Sequence, residues 1–445
     1  AKRLFEDTDG IIAGQPRQFA RRLGLVATEA ALSLNATSGA EARLRVLDGL
    51  SVRGGERDQI AYLKGHVHKQ HNRPEKALGI WKSVIEHGDR PSRAKAAFAT
   101  INLRLEAGKI GEKEAIKELK KLKFAWRNSV FEFDLLHKLG TLYASQGSLR
   151  AALVTLRQAA SLFRNIKGSE VITEKMRSLF RRFYLDDEAD KLRPVVALGL
   201  FNEFRELTPP GKDGDKMIRR LAERLVKVDL LNDAAKLYEH QVRFRIKGRK
   251  KAEIGTRLAE IRLMESKPEA AILALDISKD EKADAPMAER RRYLRARALN
   301  DAGRSLDAID VIAKDFTDQF DLLRADIYWR GRDWYKSARV LALISSRYDP
   351  AALGDEEVDI LLRRAVALGL AGDRKGMEFL RQRYGMAMEK SPRRAAFKAV
   401  AGGVANDVKD FAALARQAAE LDTFRGFLDS LNAKPALTTA KGGAS

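Results

Sequence analysis

The sequence predicts an all-α fold, an α-solenoid of degenerate helix–turn–helix repeats wound into a right-handed superhelix. Three observations carry that expectation. The first is the stretch Leu136-His137-Lys138-Leu139-Gly140-Thr141-Leu142-Tyr143, followed by Ala152, Leu156 and Ala159. Large, small and aromatic residues stand there at the spacing that lets two antiparallel helices approach closely and stack. The second is recurrence. Small residues stand at Ala77, Ala115, Ala152, Ala235, Ala271 and Ala308, with Ser337 and Met377 as looser members. Their gaps are 38 and 37 from Ala77 to Ala152, and 36 and 37 from Ala235 to Ala308. The third is a breaker ahead of each anchor: Asn72-Arg73-Pro74, Gly147-Ser148-Leu149, Ser266-Lys267-Pro268 and Gly303-Arg304-Ser305. Glycine admits left-handed backbone angles and proline suits a first helical turn, so these triplets read as turns between two helices. Arg332-Asp333-Trp334 and Gly372-Asp373-Arg374 repeat the device before Ser337 and Met377.

In chain order these signals divide the sequence into six parts. Residues 1–55 read as an N-terminal helical region or worn repeat, 56–165 as repeats, and 166–215 as an irregular helical pair or hinge. Residues 216–390 read as further repeats, 391–431 as capping helices that close the array, and 432–445 as a disordered tail. Within the irregular part, 171–184 reads as an amphipathic helix and 194–207 as a strongly apolar one, and the next helix is expected to start near Met217 behind Asp213 or Asp215 as its cap.

Composition suits such an array. The 445 residues exceed one ordinary compact domain, but a solenoid grows by contacts between neighbours and needs no single large core. Hydrophobic residues at 45% with charged residues at 32% allow a buried seam under a solvated exterior. The longest apolar run, residues 195–201, is far shorter than the roughly 20 residues that span a bilayer. Cysteine is absent, which excludes disulfides, thiolate metal sites and a cysteine nucleophile. The chain starts at Ala1 without an apolar signal core, so a processed product or a fragment is expected. The formal charge of +22 points to an acidic partner or to a solubilising surface.

Catalytic and metal chemistry finds little purchase. His66, His68 and His71 form a cluster, but at helical spacing His66 points away from the other two, and solvated positions near a turn are the expectation. Glu265-Ser266 matches a Glu-Ser pair of lytic transglycosylases over two residues only, on a turn with no apolar pocket to raise the carboxyl pKa. Lys212-Asp213-Gly214-Asp215 lacks the later acidic ligands of a calcium loop, and neither a phosphate loop nor a nucleophile elbow is present. The expectation is a chain with no catalytic, cofactor or metal site and no small-molecule substrate.

The basic runs are more informative. Lys109, Lys113, Lys117, Lys120 and Lys121 form one stripe at helical spacing. Residues 243–251 hold six cations including Arg249, and Arg290, Arg291, Arg292, Arg295 and Arg297 form a third group. Each reads either as a solvated face or as a contact for an acidic partner. Of the tryptophans, Trp81 falls at a packing position, while Trp126 and Trp334 stand near turns.

The unit at 136–159 resembles the tetratricopeptide repeat, with Leu136 where that pattern favours Trp and Leu156 where it favours Phe. A second resemblance rests on Phe204-Arg205-Glu206-Leu207-Thr208-Pro209, Met217-Ile218-Arg219-Arg220-Leu221-Ala222, Val228-Asp229-Leu230-Leu231, His240-Gln241-Val242 and Thr256-Arg257-Leu258-Ala259. That block is similar to the C-terminal half of large alphaproteobacterial tetratricopeptide-repeat proteins that look exported. The resemblance implies the bacterial periplasm, with the cytoplasm as the alternative, and a scaffold around an envelope machine such as the flagellar motor. It supplies no catalytic residues.

Two functions compete. The first is a non-enzymatic scaffold binding an acidic protein segment in its concave groove, alone, as a homo-oligomer or within a large assembly. His137, Lys138 and Thr141 are the expected contacts, joined by Lys113, Lys117, Arg249, Arg291 and Trp334. The second is a polyanion-binding protein, acting on nucleic acid or an anionic envelope polymer through the stripes near Lys117, Arg249 and Arg291.

Overall fold

A computed structural model of the chain describes residues 16–50, 54–125, 130–162, 169–280 and 283–401. All the α-helices among them, 21 in number, fall into two compact units, Ala1–Gly214 and Asp215–Ser445.

In the first unit the helices run α1 (Arg17–Ser33), α2 (Thr37–Asp48), α3 (Gly55–Gln70), α4 (Pro74–His87), α5 (Arg90–Glu106), α6 (Glu112–Leu122), α7 (Val130–Ser145), α8 (Leu149–Leu162), α9 (Ser169–Leu185) and α10 (Pro194–Glu203). Consecutive helices touch from α1 to α9, and the first helices of neighbouring pairs also touch, α1 with α3 and α3 with α5. That is the contact pattern of stacked pairs. Each pair turns on one residue with left-handed backbone, Asn35 (φ 54°), Asn72 (56°), Gly108 (67°) and Gly147 (69°). The next residue's N–H reaches back to a carbonyl of the first helix: Ala36 to Ala31, Arg73 to His68, Lys109 to Arg104 and Ser148 to Tyr143, all at 2.8–2.9 Å. This bond satisfies a carbonyl that the ending helix would leave orphaned.

The predicted anchors are where the helices meet. Ala40, Ala77, Ala115 and Ala152 are fully buried at 0% exposure. Ala40 precedes Ala77 by one 37-residue period, so α1 and α2 form a pair of the same kind. Opposite two of these anchors the first helix carries glycine. A Cβ on Gly140 would lie 2.7 Å from the Leu156 side chain, and one on Gly65 would overlap the Trp81 indole. The register then changes. The apolar helix expected over 194–207 ends at Glu203, because Phe204 leaves helical geometry (φ −128°, ψ 27°) and Arg205–Leu207 forms a 3-10 turn. Its Phe201 ring packs against Phe180 and Tyr184 of α9, and the Tyr184 hydroxyl donates to the Ala197 carbonyl at 2.7 Å.

The second unit contains α11 (Lys212–Lys227), whose first turn holds the unit boundary, then α12 (Leu231–His240), a π-helical turn (Gln241–Arg245), α13 (Gly248–Met264) and α14 (Pro268–Ile277). It continues with α15 (Ala285–Asp301), α16 (Ser305–Val311), α17 (Asp318–Arg330), α18 (Trp334–Ser345), α19 (Asp355–Ala371), α20 (Arg374–Glu389) and α21 (Arg394–Ala401). Helix α11 starts five residues before Met217, so Asp213 and Asp215 lie in its first turn, where negative charge suits the helix N-terminus. The same turn recurs at Asp229, Ser266, Gly303, Arg332 and Gly372, all with positive φ. Ala235, Ala271, Ala308 and Ser337 are fully buried, whereas Met377 is half-buried. First helices again touch one another, α13 with α15 and α15 with α17. Phe397 and Val400 of α21 are buried in the last core with Leu380, Tyr384 and Met388. Most of the expected capping helices, the 432–445 tail and Trp126 lie outside the described residues. Both units are thus arrays of stacked antiparallel helix pairs.

Candidate functional site

On α7, Leu135, Leu136, Leu139 and Leu142 are buried, pinning that helix in its core, and Leu153 and Leu156 of its partner α8 are fully buried as well. The helical repeat leaves His137, Lys138 and Thr141 on another flank, half-buried. Across from them stands Lys175 of α9, whose ammonium donates to the Thr141 hydroxyl at 2.6 Å, while that hydroxyl donates to the His137 carbonyl at 2.8 Å. Burial lowers the pKa of His137, and the charges of Lys175 and Lys138 lower it further. Burial likewise lowers that of Lys175, with Lys138 adding to the effect. Among the described residues no carboxylate forms an ion pair with Lys138 or Lys175, and Glu112 acts on Lys138 only at longer range. An incoming carboxylate would relieve that repulsion and complete the site.

Several other contacts between first helices are ion pairs. In the first unit Arg21 pairs with Glu56 at 3.1 Å, Lys69 with Glu106 at 2.7 Å, and Lys95 with Glu29 at 2.8 Å. In the second unit ion pairs stitch each first helix to the next. Arg257 of α13 joins Glu223 of α11 at 2.8 Å and Glu260 on its own helix at 3.0 Å, and Glu260, fully buried, is held in turn by Arg290 of α15. Farther along, Arg297 binds Asp301 at 3.1 Å and Asp326 at 3.7 Å, and Asp326 binds Arg363. These charges are spent on holding repeats together.

The remaining expected contacts are scattered. Lys113 and Lys117 are exposed, but on the second helix α6. Arg249 is exposed and paired with Asp284 at 2.6 Å. Arg291 points inward: its guanidinium donates to the carbonyls of Ala252 and Leu275 and to the hydroxyls of Thr256 and Ser278. Trp334 packs edge-to-face on Trp329 at 5.2 Å, beside the last core. Lys175 was missed in the sequence although it lies 37 residues, one repeat period, after Lys138.

Two sequence expectations change. His66 is not a solvated residue, because its ring sits between Tyr62 and Trp81 at 4.8 and 5.0 Å, and burial lowers its pKa to about 4. His71 instead faces Glu41, and among the described residues no group of three His, Asp or Glu side chains could hold a metal. Glu265 is not exposed: it is enclosed between Arg262 at 2.9 Å and Lys267 at 2.8 Å. Burial raises its pKa, but the hydrogen bonds from Lys267 and Arg262 outweigh that and hold it below the usual carboxylate range, the wrong poise for a general acid.

No family model matches this chain, and no curated protein sequence does. Among solved structures it is similar to NprR in complex with its cognate peptide NprX, at 14% identity over 73% of this chain and 96% of that one, with a TM-score of 0.29. It is similar to the apo form of RapI at 10% identity, covering 86% and 99%, with a TM-score of 0.33. A third is the TPR2AB domain of yeast Sti1 in complex with pHSP90, at 15% identity over 75% and 99%, with a TM-score of 0.25. The fold assignment stands on this chain's own helix pairs, turns and buried anchors.

Proposed function

We propose that this protein is a non-enzymatic interaction scaffold whose first unit holds an acidic segment of a protein partner against α7 and α9. The observation that carries the reading is the cluster of His137, Lys138 and Lys175, half-buried and without a carboxylate in contact among the described residues. Thr141 orients Lys175, and one hydrogen bond to its ammonium leaves two further donors for a ligand carboxylate. The polyanion reading through Lys117, Arg249 and Arg291 draws less support, because Arg249 is already paired and Arg291 is spent on internal acceptors.

The likeness of the 204–259 block to exported repeat proteins supports a place in the bacterial periplasm, as an accessory within a larger envelope assembly such as the flagellar motor. A photo-crosslinking residue at position 138, introduced into the native cell envelope, tests the reading. One protein partner is expected to be captured from 138 and not from 117 on α6. Equal capture from both positions contradicts it.

A further inference from the structure

Between α12 and α13 the chain makes its π-helical turn, Gln241–Arg245. Such turns are rare and need a reason to persist. Here they have internal braces: Gln241 and Val242 are fully buried, the Gln241 amide donates to the Asp215 carbonyl at 2.9 Å, and Arg245 Nε donates to the Asp215 carboxylate at 2.8 Å. The braced turn pushes Phe244 outward, 76% exposed, with its ring meeting His240 at 5.4 Å. Phe316 is as exposed, but the Arg324 guanidinium covers it at 5.7 Å. Phe244 also stands within six cations in nine residues: Arg243, Arg245, Lys247, Arg249, Lys250 and Lys251. Glu239, Asp215, Asp284 and Glu253 pair with four of them, and among the described residues Lys247 and Lys251 meet no carboxylate.

We propose that this knuckle is a peripheral docking element for an anionic phospholipid surface, with the Phe244 ring entering the headgroup layer and Lys247 and Lys251 meeting lipid phosphates. It is separate from the acidic-segment site on α7 and α9 and does not depend on it. An outward aromatic with cations beside it in the chain matches a bilayer interface, which accepts an apolar side chain without a preformed cavity. A stable protein interface would ask for several apolar anchors over roughly 800 Å² on each side, and the knuckle offers one. Single-stranded nucleic acid would ask for successive rings on which to stack bases, and Phe244 is the sole Phe, Tyr or Trp between 239 and 292. No described helix is long and apolar enough to cross a membrane.

The chain has no cysteine, so Lys250→Cys, exposed beside the knuckle and outside its proposed contacts, gives one attachment point in the full chain for an environment-sensitive fluorophore. Its emission is expected to shift to the blue with mixed phosphatidylcholine–phosphatidylglycerol vesicles and not with pure phosphatidylcholine. In vesicle sedimentation of the unlabelled chain, Phe244→Ala and the double variant Lys247→Glu/Lys251→Glu should each lower partitioning by about tenfold or more. Because these side chains are not core residues, both variants should keep the wild-type helical signal. A fluorophore that responds to a single-stranded oligonucleotide or an acidic peptide but not to anionic vesicles overturns the proposal. So does vesicle binding that neither variant changes.

Discussion

The Lys175 ammonium on α9 lies 2.6 Å from the Thr141 hydroxyl on α7, so two first helices of adjoining pairs meet through a cation and a neutral acceptor. Elsewhere in the first unit the corresponding meetings are ion pairs, as between Lys69 and Glu106. A cation left with a hydroxyl retains most of its capacity to bind a carboxylate.

The pH dependence of binding follows from His137. Its pKa in the free protein lies below the ordinary value of about 6.5, through burial and the charges of Lys175 and Lys138. A bound carboxylate would raise it, so the complex takes up a proton and affinity strengthens as pH falls through the free and bound pKa values. Titration of an acidic peptide at pH 5.5 and 7.5 should show about fivefold tighter binding at the lower pH, with the difference abolished in His137→Gln.

His66 makes stability depend on pH in the opposite sense. Its folded pKa of about 4 lies below its unfolded value, so between roughly pH 6.5 and 4 the unfolded chain binds more protons and stability falls as pH falls. The loss across that window is about 3 kcal/mol. Urea unfolding at pH 7.5 and 4.5 should show a smaller difference in His66→Gln than in the wild type.

Glycine at the helix crossings has a measurable signature. Gly140→Ala would press a methyl group against the fully buried Leu156, an overpacking cost that exceeds the helix-propensity gain and leaves a net loss of about 1–2 kcal/mol. Gly79→Ala, inside α4 and facing open space, should instead stabilise by about 0.5–1 kcal/mol. Thermal melts of the two variants should move in opposite directions.

In the second unit, Glu260→Gln removes the buried charge between Arg257 and Arg290, leaving Arg290 without its carboxylate while Arg257 keeps Glu223. The expected cost is about 3 kcal/mol, read as a lower urea midpoint. A change below about 0.5 kcal/mol would mean that the ladder contributes little to holding the repeats together.

Much of the fold was legible because its determinants are local. A small residue must stand where two helices cross and a left-handed residue where the chain turns, and Ala77, Ala152, Ala271, Gly147, Ser266 and Gly303 meet those demands where the sequence placed them. The proposed site was legible only in part. His137, Lys138 and Thr141 could be read from the best-formed repeat, but Lys175 lies in α9, beyond the last anchor before the register changes. Arg291 was read as a surface cation because the Glu289-Arg290-Arg291-Arg292 run looks solvated, whereas its acceptors stand 13–39 residues away on neighbouring helices. The helix over 194–207 was overextended because hydrophobic pattern does not reveal where Phe204 leaves the helix.

The most direct test of the account is the affinity of a fluorescent peptide rich in Asp and Glu for three proteins, measured by anisotropy. Lys138→Glu/Lys175→Glu reverses the cluster, and Lys113→Glu/Lys117→Glu makes the same change in net charge on the exposed second helix α6. The account predicts a loss of about tenfold or more for the first variant and about twofold or less for the second, relative to the wild type. Equal losses in both variants, or no loss in the first, would contradict it.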